Sequence, residues 1–131
     1  MHIHLTTVGT LLIALALVHI IFPKYFNWNE ELSQLSLINR QMMKTHTFFI
    51  ALTVFLMGVL CLIASNDLIE TELGNMVALG LGIFWGIRLF YQLFVYSSKL
   101  WKGKKFETFA HILFTLFWIY FSGTFLFVYF G

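Results

Sequence analysis

The chain has 131 residues, of which 60% are hydrophobic and only 11% are charged, and its formal net charge is +2. A soluble domain carries about 25% charged residues, and a chain of this length has too little interior to hide so much apolar surface from water. The composition therefore excludes an ordinary soluble domain and predicts an integral membrane protein, and the small net charge gives no indication of a nucleic-acid partner.

Four apolar stretches are long enough to cross a hydrocarbon core, which requires about 20 helical residues. They cover approximately residues 3–22, 43–64, 73–96 and 109–130. Each stretch is apolar on all sides, whereas the strands of a membrane β-barrel alternate between polar and apolar residues. We therefore expect an all-α integral membrane protein in which residues 1–131 form one domain, a four-transmembrane-helix bundle.

The segment between the first two helices is longer than a simple turn. We expect the first helix to end at Pro23, because proline removes a backbone N–H group. The stretch "FNWNEELSQLSLINRQMMK" then predicts a short interfacial helix that begins near Asn27 or Asn29. Its membrane-facing side would be formed by three apolar residues: Leu32, Leu35 and Ile38.

The charged residues of the three links predict an orientation. The first link contains Lys24, Arg40 and Lys44, and the third, "SSKLWKGKKF", contains further lysines. The second link, "SNDLIETELGN", contains acidic residues and no basic ones. Since cytoplasmic links carry the excess of lysine and arginine, this pattern places both termini outside the cytoplasm, as in a protein of the bacterial inner membrane.

The third and fourth helices carry distinct stripes. On the third helix, small residues recur at intervals of four and predict close approach by another helix, from this chain or from a second copy: Ala78, Gly82 and Gly86. We assign the aligned residues of the same helix to a stripe roughly opposite the small one: Trp85, Arg88 and Gln92. The fourth helix carries one polar stripe: Glu107, His111, Thr115, Trp118 and Ser122.

Polar residues from all four helices fall at a similar depth in the inner half of the bilayer. At the helical rise they lie within a layer on the order of 10 Å thick. The layer contains three histidines, an arginine, a glutamine and a glutamate: His19, His46, His111, Arg88, Gln92 and Glu107. The sequence therefore predicts a polar pocket that opens toward the inner leaflet, with Arg40 at its cytoplasmic mouth.

Arg88 is the most costly member of this layer. A charged side chain at membrane depth normally faces the interior of a bundle and has a partner. Glu107 and an anionic ligand are both candidate counter-charges, and Glu107 can also orient His111. The alternative is that Arg88 extends toward the cytoplasmic headgroups or only joins the helices through hydrogen bonds.

Two kinds of cofactor would use the histidines. Haem b would take two axial imidazoles and flat apolar walls, which the phenylalanines supply, while Arg40 and Arg88 would bind its propionates and Gln92 another polar group. A zinc, copper or iron ion would instead be held by four side chains: His19, His46, His111 and Glu107.

Three further interpretations remain open: a metal- or acid/base-dependent enzyme acting on a lipid-soluble substrate, a proton or ion translocator, and an accessory structural subunit. No motif in the sequence decides between them. Haem b with membrane electron transfer is the favoured prediction because it uses the histidines, the aromatic residues and the basic rim together. The expected partners are membrane lipids, a quinone or another lipid-soluble molecule, and further copies of the chain or a larger membrane complex.

Overall fold

The computed structural model describes residues 1–25, 27–95, 103 and 105–131, and within these ranges the chain is helical with no strand. Four helical segments are long and apolar enough to cross a membrane: His2–Tyr25, Leu37–Ile63, Glu72–Val95 and Lys105–Phe130. The all-helical prediction with four long apolar helices is therefore confirmed. The lysines that dominate the third link, Lys99, Lys102 and Lys104, lie outside the described residues.

The described part of the chain contains six α-helices, here numbered in chain order. Helix α1 spans His2–Tyr25, and α2 spans Trp28–Glu31 and continues into a 3-10 turn, Leu32–Gln34. Helix α3 spans Leu37–Ile63 and α4 spans Ser65–Glu70. Helix α5 spans Glu72–Phe90 and ends in a π-helical turn, Tyr91–Val95, and α6 spans Lys105–Phe130.

The first helix does not end at Pro23, as predicted, but continues through it to Tyr25. The proline ring removes one backbone N–H, and its fixed φ is compatible with helix. Because only two more residues come after it, the loss of this single donor falls in the last turn and does not break the helix.

The second long helix begins six residues earlier than predicted, at Leu37 instead of residue 43. Ser36 is its N-cap, and the Ser36 hydroxyl accepts a hydrogen bond from the backbone N–H of Asn39 at 3.4 Å. A capping serine supplies an acceptor for the orphan N–H groups of the first turn. As a result, Ile38 and Arg40 belong to α3 itself. A short helix before it begins directly after Asn27, as predicted, but it ends at Glu31. The predicted membrane-facing side is wrong, because Leu32 is buried in the 3-10 turn and Leu35 is extended.

The second link contains a short helix, α4, that the sequence analysis did not predict. Thr71 joins α4 to α5: its hydroxyl donates to the carbonyl of Asp67 at 2.6 Å and accepts from the N–H of Gly74 at 2.9 Å. Gly74 packs so closely on α4 that a Cβ atom there would collide with the Asp67 carbonyl.

The chain divides into two compact units, here called the N-terminal unit (Leu5–Ser65) and the C-terminal unit (Met1–His4 with Asn66–Gly131). Within the N-terminal unit α1 crosses α3 at Gly9 and Gly58. A Cβ atom on Gly58 would lie 2.7 Å from the Gly9 carbonyl oxygen, and one on Gly9 would lie 2.8 Å from the Gly58 oxygen. The two helix backbones are therefore in direct contact, which only glycine permits.

The C-terminal unit is built on a hairpin of α5 and α6. The Ser122 hydroxyl donates to the Gly82 carbonyl at 3.1 Å, and a Cβ on Gly82 would lie 2.7 Å from a terminal carbon of Leu126. A Cβ on Gly86 would lie 3.3 Å from the hydroxyl oxygen of Ser122. The small-residue stripe thus packs against α6 of the same chain, which resolves the two possibilities left open by the sequence. His4 belongs to this unit through a 2.9 Å hydrogen bond with the Tyr120 hydroxyl.

Candidate functional site

The polar residues of α5 lie beside its glycine stripe and also face α6. The prediction that they lie roughly opposite the glycines was wrong. At about 100° per residue, Trp85 and Gln92 fall next to the small residues on the helix surface and not across from them. Both are buried, at 2% and 5% exposure, and each contacts a residue of α6.

Stacked aromatic rings run along this interface. The rings of Trp85 and Trp118 stack with their centroids 5.0 Å apart, and Trp118 stacks in turn on Phe114 at 5.7 Å. Phe121 meets Trp85 edge-on at 5.3 Å. The guanidinium carbon of Arg88 lies 5.1 Å from the centroid of the Trp118 ring, which is within the range of a cation–π interaction.

Two buried hydrogen-bond donors belong to this aromatic stack. Trp85 and Trp118 are 2% and 4% exposed, and neither indole N–H has an acceptor among the residues that the structure describes. A buried donor without an acceptor costs about 1–3 kcal/mol. If these helices cross a membrane, water would not supply that acceptor inside the hydrocarbon core. We refer to Trp85, Trp118 and Arg88 together as the donor cluster.

Glu107 is remote from the position that Arg88 occupies. Arg88 packs against Trp118, and Glu107 precedes Trp118 by eleven residues on the same helix. That separation corresponds to a rise of about 16 Å along α6. The structure thus places the guanidinium beside the indole ring and not beside this carboxylate. An anionic ligand is the other candidate counter-charge from the sequence analysis.

Gln92 and His111 form the second polar feature of the hairpin. Nε2 of Gln92 lies 2.9 Å from Nδ1 of His111 and 3.4 Å from the His111 carbonyl oxygen. Gln92 sits in the π-helical turn at the end of α5, and such turns are frequent at functional sites. The sequence analysis placed both residues in one polar layer, and the contact between their side chains is an addition from the structure.

His19 makes a different contact in the N-terminal unit. Its Nδ1 atom lies 2.9 Å from the carbonyl oxygen of Leu15, one turn earlier on α1. A carbonyl oxygen only accepts, so Nδ1 carries the proton and donates. When the ring is neutral, its lone pair is then on Nε2. His46 is exposed and Arg40 half-buried on α3 of the same unit.

The candidate ligands of the predicted haem or metal site are divided between the two units, with His19 and His46 in one and Glu107 and His111 in the other. Across the described part of the chain, no group of three or more histidine, cysteine, aspartate or glutamate side chains is positioned to hold a metal ion. Haem b and the histidine-bound ion therefore stay predictions.

No protein-family model matches the chain, and no similar curated sequence or solved structure was found.

Trp85 and Trp118 align with the predicted site residues along their helices, but neither is among the residues predicted for the site. The available signal was their spacing: Trp85 precedes Arg88 by one helical turn, and Trp118 comes after His111 on the polar stripe of α6. What could not be read from spacing is that both indole N–H groups are buried without an acceptor in the described structure, because that depends on how α5 and α6 pack.

Proposed function

We propose that the protein is an integral membrane protein with four transmembrane helices, located in a bacterial inner membrane with both termini outside the cytoplasm. The four long apolar helices support insertion in lipid. Lys24 in the last turn of α1 and Arg40 in the first turn of α3 border the first link, and the charged residues of the second link are all acidic; both features support this orientation.

Within this protein, the C-terminal unit binds a lipid-soluble molecule whose polar head carries an oxyanion, either a carboxylate or a phosphate. The observation that carries this proposal is the donor cluster, where two buried indole N–H groups with no acceptor in the described structure lie beside a guanidinium. An oxyanion would accept from the two indole donors, and hydrogen bonds to charged groups contribute about 1.5–3 kcal/mol.

The outer surface of the same hairpin suits an apolar tail. Close in sequence to Arg88 on α5 and to Trp118 on α6 are large apolar side chains of which about half is exposed: Phe84, Ile87, Leu116 and Ile119. Arg88 itself is half-buried, so part of its side chain is accessible at the surface of the hairpin, while its Nη1 atom is buried. A bound amphiphile would lay its tail on this surface while its head reaches the donor cluster.

The test compares Trp118→Phe with wild type. Phenylalanine keeps an aromatic ring in the stack and removes the indole N–H. Protein is extracted in native-lipid nanodiscs, and the lipids bound to it are identified and quantified by mass spectrometry, which also distinguishes a carboxylate from a phosphate head. We expect one amphiphile to be enriched on wild type and to fall about tenfold in the variant.

Trp28→Phe serves as the matched control, since Trp28 is a buried tryptophan of the N-terminal unit. This variant should retain the wild-type amount of the amphiphile. If wild type shows no enriched acidic amphiphile, or if Trp118→Phe retains it in full, the proposal is wrong.

Haem b is the second candidate, because of one observation at His19. A histidine that ligates a metal through Nε2 usually donates its Nδ1–H to a carbonyl or carboxylate, and His19 donates in this way to Leu15. The protein would then transfer electrons in the membrane, with a quinone or another lipid-soluble molecule as the reaction partner.

An absorption spectrum of the purified protein, recorded before and after dithionite, tests this candidate. A Soret band that shifts on reduction, and that is lost in His19→Phe, would support haem. A spectrum without a Soret band after reconstitution with haem would eliminate it.

A further inference from the structure

We propose that Gln92 is a positioning residue that holds His111 as the neutral tautomer with its proton on Nε2. In this form His111 is a hydrogen-bond donor and not a metal ligand. The part of the inference that concerns ligand binding rests on the proposed function, whereas the tautomer itself does not.

The orientation of the Gln92 amide is determined by its two contacts. The same end of the amide faces both Nδ1 and the carbonyl oxygen of His111, at 2.9 and 3.4 Å. A backbone carbonyl oxygen can only accept a hydrogen bond. The end that faces it must therefore be the NH2 group, because an amide oxygen there would oppose another oxygen.

The tautomer of His111 is determined by the same geometry. Since the amide NH2 donates to Nδ1, this ring nitrogen must present its lone pair. A neutral imidazole with an unprotonated Nδ1 carries its proton on Nε2. With a proton on Nδ1, two hydrogen-bond donors would face each other and the hydrogen bond would be lost.

The surrounding backbone fixes both side chains. Gln92 is 5% exposed and lies in the π-helical turn, which moves its side chain relative to a regular helix. The Thr115 hydroxyl donates to the His111 carbonyl at 2.7 Å, which anchors the acceptor that the Gln92 amide also faces. The pair is thus held from α5 and from α6 at once.

The tautomer determines the chemistry that His111 can perform. With Nδ1 engaged and Nε2 protonated, neither nitrogen has a lone pair to give to iron, zinc or copper. Ligation would require the ring to lose its Nε2 proton or to break its bond with Gln92. A protonated Nε2 is a hydrogen-bond donor, as are the two indole N–H groups of the donor cluster, so any group that meets one of these three atoms must be an acceptor.

The tautomers can be read directly by NMR of protein labelled with 15N in its histidine rings and placed in lipid bilayers. Protonated and unprotonated ring nitrogens have well-separated 15N shifts, and single substitutions assign the signals. In wild type we expect His111 to be protonated on Nε2 and His19 on Nδ1. Opposite tautomers in one spectrum make His19 an internal reference.

Gln92→Glu tests whether Gln92 is the cause. A carboxylate has no N–H to donate and accepts from Nδ1, so the His111 proton should move to Nδ1 while the His19 signals stay unchanged. Gln41→Glu makes the same substitution at an exposed position of α3 and should leave both histidines as in wild type. The amount of bound amphiphile should fall several-fold in Gln92→Glu and not in Gln41→Glu.

A wild-type His111 protonated on Nδ1 would overturn the inference, and this outcome does not depend on whether Gln92→Glu folds. An unchanged His111 tautomer in folded Gln92→Glu would also overturn it. If the tautomers are as expected but no acidic amphiphile is bound by wild type, the proposed function fails and the role of Gln92 in setting the tautomer stands.

Discussion

His19 in the N-terminal unit and His111 in the C-terminal unit are both half-buried helical histidines, yet they have opposite proton arrangements. His19 donates from Nδ1 to a backbone carbonyl of its own helix, at 2.9 Å. His111 accepts at Nδ1 from the Gln92 side chain of a neighbouring helix, at the same distance. The difference shows that the partner of one ring nitrogen decides whether a helical histidine is suited to bind a metal or to donate a hydrogen bond.

The two units also differ in how their long helices pack. In the N-terminal unit, two glycines bring the backbones of α1 and α3 into contact. In the C-terminal unit, Gly82 receives the end of the Leu126 side chain, and the interface also holds a buried hydroxyl and stacked indole rings. Tight backbone contact leaves no room for a polar site, whereas the side-chain contact between α5 and α6 accommodates one.

The largest expected effect is on the amount of bound amphiphile, which substitutions in the C-terminal unit should lower and substitutions in the N-terminal unit should not. Arg88→Leu should reduce the amphiphile retained in native-lipid nanodiscs by at least tenfold, because it removes a charged donor whose hydrogen bonds contribute about 1.5–3 kcal/mol. Arg88→Lys keeps the charge and loses the planar stack on Trp118, so we expect an intermediate loss. Lys44→Leu, in the N-terminal unit, should retain the wild-type amount. Equal losses for Arg88→Leu and Lys44→Leu would contradict the assignment of binding to the C-terminal unit.

The next effect concerns stability. Gly58→Ala should lower the free energy of unfolding in bicelles, because its Cβ would lie 2.7 Å from the Gly9 carbonyl oxygen, a backbone atom that cannot turn away. Overpacking costs about 1–3 kcal/mol, and the better helix propensity of alanine offsets about 1 kcal/mol of it.

Two glycines of α5 provide the comparison for Gly58→Ala. Gly82→Ala meets mainly a flexible leucine side chain and should change stability less than Gly58→Ala. Gly80 has open space around its Cβ position, so Gly80→Ala should stabilise by about 0.5–1 kcal/mol. A Gly58→Ala protein as stable as Gly80→Ala would show that α1 and α3 do not touch at this point.

The smallest effect concerns single hydroxyls. Ser122→Ala removes the buried hydrogen bond to the Gly82 carbonyl and should cost about 0.6 kcal/mol, the typical value between membrane helices. Thr53→Val removes a hydroxyl that bonds only the Phe49 carbonyl of its own helix at an exposed position, and it should have no measurable effect. Unfolding of both variants in the same bicelles tests the difference, and a Thr53→Val cost equal to that of Ser122→Ala would contradict it.

Composition and length were enough to predict the class of the fold. Runs of apolar residues were sufficient to predict the four long helices and the helical class, because few other structures can span a bilayer. The helix ends were less accessible: Ser36 was not recognised as a cap, and Pro23 was treated as a stop although it lies in the final turn. These errors arise because caps and prolines act within one turn, and hydropathy averages over many.

The candidate site was predicted in its residue types but not in its arrangement. Arg88, Gln92 and His111 were identified because polar residues are rare in such a chain. Their partners could not be identified, since the Gln92–His111 bond and the Arg88–Trp118 contact depend on the register between α5 and α6. The Gly82–Ser122 contact fixes that register, and spacing along one helix contains no information about it.

The π-helical turn at Tyr91–Val95 also has a consequence for the sequences of homologues. Such a turn corresponds to one extra residue inserted into an α-helix. A relative that lacked one residue before Gln92 would keep the α5–α6 hairpin, but the glutamine would rotate by about 100° and lose its histidine. The number of residues between the Gly82 and Gln92 equivalents should therefore distinguish homologues that share this site from those that share only the fold.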